Sequence, residues 1–158
     1  MSSHLLRRPT PADYAAIVSW IPDAVACTRW GGPKMTFPLS ASALPEMLAV
    51  AGGCSFTLVG GGQPLGFGQY WVQTPGAVHL GRILVAPAAR GQGVGTQLCR
   101  LLMAAAVAGT GAEAITLRVY RDNRAARALY ERLGFTVVAA ESDDELLFMR
   151  APVEDRFG

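Results

Sequence analysis

The chain has 158 residues, of which 51% are apolar and 16% charged, with a formal charge of +2. That balance excludes a disordered chain, which needs low hydrophobicity and high net charge, and it offers no basic stripe for nucleic acid. The length suits one domain over 1–158, burying roughly 70% of the surface that the unfolded chain exposes. His4–Arg8 reads as a short first strand. Pro9–Asp13 opens a helix that Ile17, Val18 and Trp20 make apolar and Pro22 ends. Residues 27–41, with Gly31-Gly32-Pro33 and Phe37-Pro38, read as irregular, and Ser42–Val50 as a second short helix. Three strands follow: Cys54–Val59, Leu65–Gln73 and Ala77–Val85, separated by turns at 60–63 and 74–76.

Gly95–Gly109 is expected to be a helix, because Val94, Leu98, Leu101, Leu102 and Ala105 recur at helical spacing. Ala114–Tyr120 is short and β-branched, as a buried strand should be. Asn123–Leu133 carries Ala126, Leu129, Tyr130 and Leu133 on one stripe, and Gly134 caps its end. Thr136–Ala140 and Glu145–Arg150 are expected to pair as a hairpin around Ser142-Asp143-Asp144. The order predicts an α/β sandwich with helices on both faces of one mixed sheet.

Cys27, Cys54 and Cys99 are odd in number, far apart and outside any metal-binding spacing. They read as reduced thiols, with neither a disulfide framework nor a metal site expected. The start, Met1–Arg8, has no apolar leader core, and the longest apolar stretch, Leu98–Ala108, is broken by Arg100 and too short to span a bilayer. A cytoplasmic location away from membranes is the expectation.

The strongest local signal is Arg90-Gly91-Gln92-Gly93-Val94-Gly95-Thr96, between a strand and a helix. Glycines let backbone N–H groups approach an anion, and the helix N-terminus adds its positive dipole. A dinucleotide fingerprint would need a third glycine where Thr96 or Leu98 stands, and a nucleotide P-loop would need a following lysine. A plain strand-to-helix turn is the bland alternative, although three alternating glycines exceed what a turn needs.

The segment Arg90–Gly95 resembles the GNAT acetyltransferase motif [RQ]-x-x-G-x-[GA], and Ile83-Leu84-Val85-Ala86-Pro87 resembles the strand that leads into it. Asn123–Phe135 resembles the family's second motif. The first 75 residues are only loosely similar; they look closest to bacterial ribosomal-protein N-terminal acetyltransferases. The resemblance implies a GNAT-like, mostly antiparallel mixed sheet and acetyl transfer from acetyl-CoA to a primary amine of a small molecule or peptide. It implies that Ile83, Leu84 and Val85 bind the pantetheine arm, with a bulge there aiming a backbone N–H at the thioester carbonyl. It implies that Arg90, Gly91, Gln92, Gly93, Val94, Gly95 and Thr96 bind the pyrophosphate, and that Asn123 contacts the cofactor. Tyr130 would protonate the leaving thiolate. On periodicity alone, Tyr130 reads first as a core aromatic on the Ala126–Leu129–Leu133 stripe, and the motif reverses that order. Pairing into a homodimer is common in the family, and the final hairpin or Trp71 could serve it.

One position departs from the pattern. The resembled enzymes use a glutamate base where this chain has Arg118, and an arginine accepts no proton at neutral pH. His79 is a replacement by its ordinary pKa near 6.5. Glu113, or water alone, are further possibilities, and His79 could simply pack on the sheet. Arg118 and Arg121 could attract an acidic group or be ordinary surface charges. Trp20, Trp30 and Phe37 could line an acceptor pocket or belong to the core. A CoA-binding sensor without turnover is the rival function.

Overall fold

In the computed structural model, residues 4–153 are described. Seven strands form one sheet in the order β1-β2-β3-β4-β5-β7-β6. They are β1 (His4–Arg7), β2 (Cys54–Gly60), β3 (Gln63–Thr74), β4 (Ala77–Val85), β5 (Ala114–Tyr120), β6 (Thr136–Val137) and β7 (Leu146–Pro152). Every neighbouring pair is antiparallel except β4–β5. A parallel pair needs a long crossover, supplied by α4 (Val94–Thr110).

The helices follow from local chemistry. In α1 (Pro11–Trp20), Thr10 and Asp13 form a capping box and Pro11 opens the first turn. The buried Asp13 carboxylate also accepts from the Arg7 guanidinium at 2.8 Å, tying α1 to β1. Residues 27–31, read as irregular, instead belong to a helix, α2 (Ala24–Gly31), where the Asp23 side chain accepts from the Ala26 N–H at 2.8 Å. Helix α3 is only Leu44–Met47, shorter than the expected 42–50, because its N-cap Ala43 has no capping side chain. In α5 (Arg124–Arg132), Asn123 is the N-cap. The final hairpin is also smaller than expected. Only Thr136–Val137 pair with β7, and the chain then turns through a 3-10 segment at Ala139–Glu141.

Alternation along β3 divides the core. Tyr70 packs on the α4 side with Val78, Leu80, Leu102 and Met103. Phe67 packs on the other side with Ile17, Cys27, Leu44 and Leu48 from α1–α3. A Cβ on Gly68 would sit 2.8 Å from Leu102 Cδ2, so glycine there lets α4 lie close on the sheet.

Strand β4 carries a bulge. Phe67 opposes Leu84 while Gln69 opposes Gly81, so β4 holds one residue more than its partner. Unbroken alternation would send Arg82 after Val78 and Leu80 into the apolar α4 core. The bulge instead turns Arg82 toward α2 and α3, where it donates to the carbonyls of Gly31 and Leu48 and to Gln69 Oε1 at 3.2, 3.4 and 3.0 Å.

Candidate active site

The parallel pairing of β4 with β5 stops at Leu80 and Leu117. Strand β4 continues beside β3 to Val85, and β5 continues beside β7 to Tyr120. The two therefore diverge, and a cleft opens between them. Its inner part, about 120 Å³, is lined by Arg82, Ile83, Arg118, Asn123 and Tyr130 among others. An adjoining part of about 300 Å³ shares Arg29, Trp30, Arg82 and Arg118 and reaches Trp71 and His79.

The glycine-rich segment sits at the end of β4. Gly91 and Gly93 have φ of 76° and 79°, the region that favours glycine, and a Cβ on either would meet nothing within 4 Å. Gly93 is the N-cap of α4, with no side-chain cap and no acidic residue in the first turn. The first N–H groups of a helix lack internal partners, so here they face an open, positively polarised concavity. Arg90 Nε donates to the Val85 carbonyl at 3.3 Å and Gln92 Nε2 to the Ala88 carbonyl at 3.1 Å, which brace the loop. Val94 is buried. Gly95 does different work: a Cβ there would lie 3.3 Å from Leu129 Cδ1 and 3.7 Å from Val85 Cγ2. The loop preceding Thr96, the end of β4 and α5 thus converge at one corner. Leu84 lines a further hollow with Trp20, Trp30 and Arg90.

Tyr130 is 8% exposed and opens into the inner cleft. Burial, with the neighbouring Cys99, pushes its hydroxyl far above the ordinary range, so it stays protonated. Among the described residues its hydroxyl has no hydrogen-bond partner. Asn123 lines the same cleft, and its side chain accepts from the Ala126 N–H at 3.2 Å.

His79 lies on the other face of the sheet. It is 4% exposed, packed between Trp71 and Phe148, with Nδ1 2.8 Å from Thr116 Oγ1. Burial, and secondarily the charge of Arg118, pulls its pKa down to about 4. This corrects the ordinary value near 6.5 expected from sequence. Glu113 precedes β5, at the end away from the cleft, with its N–H on the Gly76 carbonyl. Arg121 donates to the Asp143 carbonyl and lines neither part of the cleft. Phe37 also lines neither part, whereas Trp30 lines both.

Sequence reasoning missed Arg29 and Arg82. The signal for Arg82 was a lone cation inside an apolar strand run, Leu80-Gly81-Arg82-Ile83-Leu84. Among the described residues, no group of three or more His, Cys, Asp or Glu is placed to hold a metal ion. No described helix is long and apolar enough to cross a membrane.

Comparison with known proteins agrees with this geometry. Residues 23–135 match the model of the acetyltransferase (GNAT) family. Over 79 residues the chain is 39% identical to mycothiol acetyltransferase of Mycobacteroides abscessus, covering 48% of this chain but only 26% of that relative. The fold matches AAC(6')-Ib in complex with paromomycin and acetyl-CoA, with a TM-score of 0.74 and 24% identity over 95% of this chain and 93% of that one. It also matches the Escherichia coli ribosomal-protein-S18-alanine N-acetyltransferase, with a TM-score of 0.68 and 21% identity over 96% and 95%. The family match spans most of the chain, and with the diverging strands and the glycine-capped helix it shows that the chain belongs to the GNAT family of acyltransferases.

Proposed function

We propose that this chain transfers the acetyl group of acetyl-CoA to a primary amine by direct attack. The observation that carries the reading is the glycine-capped N-terminus of α4, which packs through Gly95 on Val85 and Leu129, next to the residue, Tyr130, that faces the β4–β5 cleft. Both suit a CoA thioester: the helix N-terminus fits a pyrophosphate, and the unpaired edge of β4 fits the amides of a pantetheine arm.

The residues divide the work as follows. Gly91, Gly93 and the N–H groups of Val94, Gly95 and Thr96 hold the pyrophosphate, with Arg90 and Gln92 bracing the loop and Asn123 closing the corner. A backbone N–H of Ile83, Leu84 or Val85 stabilises the oxyanion, a kind of contribution worth about 3–4 kcal/mol in other acyl transferases. Tyr130 gives its proton to the departing sulfur.

Proton transfer to His79, at about 4, climbs roughly 5 kcal/mol from an α-amine and roughly 9 kcal/mol from a lysine-type amine. His79 therefore serves as a neutral acceptor beside the cleft, and the proton leaves through water. The chain acts as one domain over 1–158, in the cytoplasm, on a small-molecule or peptide amine.

A second reading, a CoA-binding sensor, is favoured by Arg118 standing in the position of the family's glutamate. Turnover separates the two. Calorimetric titration with acetyl-CoA should show micromolar binding by the native chain and none by Gly93→Glu. CoA release in the presence of an amine should follow. No binding by the native chain would overturn both readings.

A further inference from the structure

The cleft wall contains three arginines, Arg29, Arg82 and Arg118, and no aspartate or glutamate. Their charges are not equally cancelled. Arg29 pairs with Asp122 at 2.5 Å. Arg82 donates only to neutral acceptors, two carbonyls and the Gln69 amide. Arg118 donates to the Glu141 backbone carbonyl at 3.3 Å and lies over the Phe148 ring at 4.9 Å. Among the described residues neither Arg82 nor Arg118 forms an ion pair. The carboxylate that faces Arg118, Asp143, is outside the lining and accepts from the N–H groups of Glu145 and Leu146 at 2.8 and 2.7 Å.

The cleft is therefore positive, and its outer wall offers large apolar surfaces, Trp30, Trp71, Leu80, Tyr120 and Leu146, beside the polar Thr28 and His79. Two consequences follow from elementary electrostatics. A polycation is repelled, because nothing in the wall offers it a counter-charge. An amine beside uncancelled guanidinium charge loses its proton more readily, since like charge disfavours the ammonium. That supplies the neutral nucleophile without a side-chain base. An anionic group on the acceptor would meet the charge that the protein leaves open, and guanidinium–carboxylate contacts are among the stronger hydrogen bonds. The outer volume of about 300 Å³ lies at the low end for small-molecule sites.

We propose that the acceptor is a small amine with its own carboxylate and an apolar body, an amino acid by chemical class, its carboxylate set against Arg118. The inference rests on the acetyl-transfer reading above. The ammonium loses one proton to water, and its nitrogen lone pair bonds to the thioester carbonyl carbon. The C–S bond breaks, and sulfur leaves with the electron pair. The nitrogen's second proton balances the one sulfur takes up, giving an N-acetyl amino acid and free CoA.

The test is CoA release from acetyl-CoA with four acceptors: phenylalanine, phenylalaninamide, phenethylamine and spermidine. Phenylalanine should exceed the amide and phenethylamine by about tenfold in kcat/KM, the size of one charge-assisted contact, with spermidine the poorest. Arg118→Gln should erase most of the preference for phenylalanine over its amide by raising KM, and Arg118→Lys should keep more of it. Arg118 is exposed, so both variants should fold, as thermal unfolding will check. Spermidine or phenethylamine matching phenylalanine would overturn this inference and leave acetyl transfer standing. A preference that survives Arg118→Gln would overturn the placing of the carboxylate. Acetyl-CoA binding without release on any of the four would overturn transfer and this inference together.

Discussion

Trp30 donates its indole N–H to the Arg82 carbonyl at 2.8 Å, and Arg82 holds a φ of 49°. Among the described residues it is the one non-glycine in that region. Such a conformation costs on the order of 1–3 kcal/mol and persists only when neighbours enforce it. Here α2 enforces it, since Trp30 also meets Phe67 edge-on at 6.0 Å. Trp30→Phe keeps an aromatic ring and removes the donor. It should cost about 1–2 kcal/mol in denaturant unfolding. If the bulge aims the oxyanion donor, kcat should fall about tenfold or more. An unchanged kcat would separate the bulge from catalysis.

Tyr130 is fixed from behind. The Phe135 N–H donates to its carbonyl at 3.0 Å, the Gly134 N–H donates to the Glu131 carbonyl at 3.1 Å, and the rings of Tyr130 and Phe135 meet edge-on at 6.0 Å. This is the helix ending in which a hydrophobic pair accompanies two closing hydrogen bonds. Tyr130→Phe leaves all of it in place. Stability should change by less than about 0.5 kcal/mol, while kcat falls about 100-fold with little change in KM. Equal losses of stability and activity would make Tyr130 a packing residue only.

His79 predicts an acid-sensitive fold. Its pKa is near 4 when folded, and near 6.5 in the unfolded chain. Between those values the unfolded state binds more protons. Stability therefore rises with pH across the window and is lost as pH falls toward 4, by roughly 3 kcal/mol in all. Urea unfolding at pH 7.5 and pH 4.5 should show a smaller drop for His79→Gln than for the native chain. Parallel drops would mean that His79 is not the group responsible.

The Asp13 carboxylate ties β1 to α1. Burial pushes its pKa up, but the Arg7 side chain and the Thr10 N–H outweigh that and hold it below the ordinary value of 3.8. Its contribution is thus present above that value and lost as pH falls through the lower folded value. Asp13→Ala should cost about 2–4 kcal/mol at neutral pH, because Arg7 and the helix N-terminus lose a buried partner. Thermal unfolding would register it, and a change below about 0.5 kcal/mol would refute the tie.

What the sequence revealed depended on how local the cause was. The glycine loop and α4 were legible because the left-handed backbone at Gly91 and Gly93 favours glycine and a periodic apolar stripe follows it. Helix α2 was missed because Cys27, Thr28 and Trp30 are indifferent helix formers and Gly31-Gly32-Pro33 drew the reading toward a loop. Asp23 after Pro22 was the overlooked signal. The position of the bulge and the charge of the cleft were illegible, because Arg82 is positioned by Trp30, 52 residues away, and by Gln69, 13 residues away. The depressed basicity of His79 depends on burial between Trp71 and Phe148, which no local pattern encodes.

The divergence of β4 and β5 beyond Leu80 and Leu117 has a thermodynamic consequence. Beyond those residues the N–H groups that the two strands turn toward each other have no strand partner across the seam, so they should exchange with deuterated water faster than those of residues 77–80. A ligand that completes this seam adds RT ln(1 + [L]/Kd) to stability, about 2.7 kcal/mol at a hundredfold excess over Kd. On the acetyl-transfer reading proposed above, the melting temperature of the protein becomes a gauge of thioester concentration, and slowed exchange along 81–85 would mark the same binding event residue by residue.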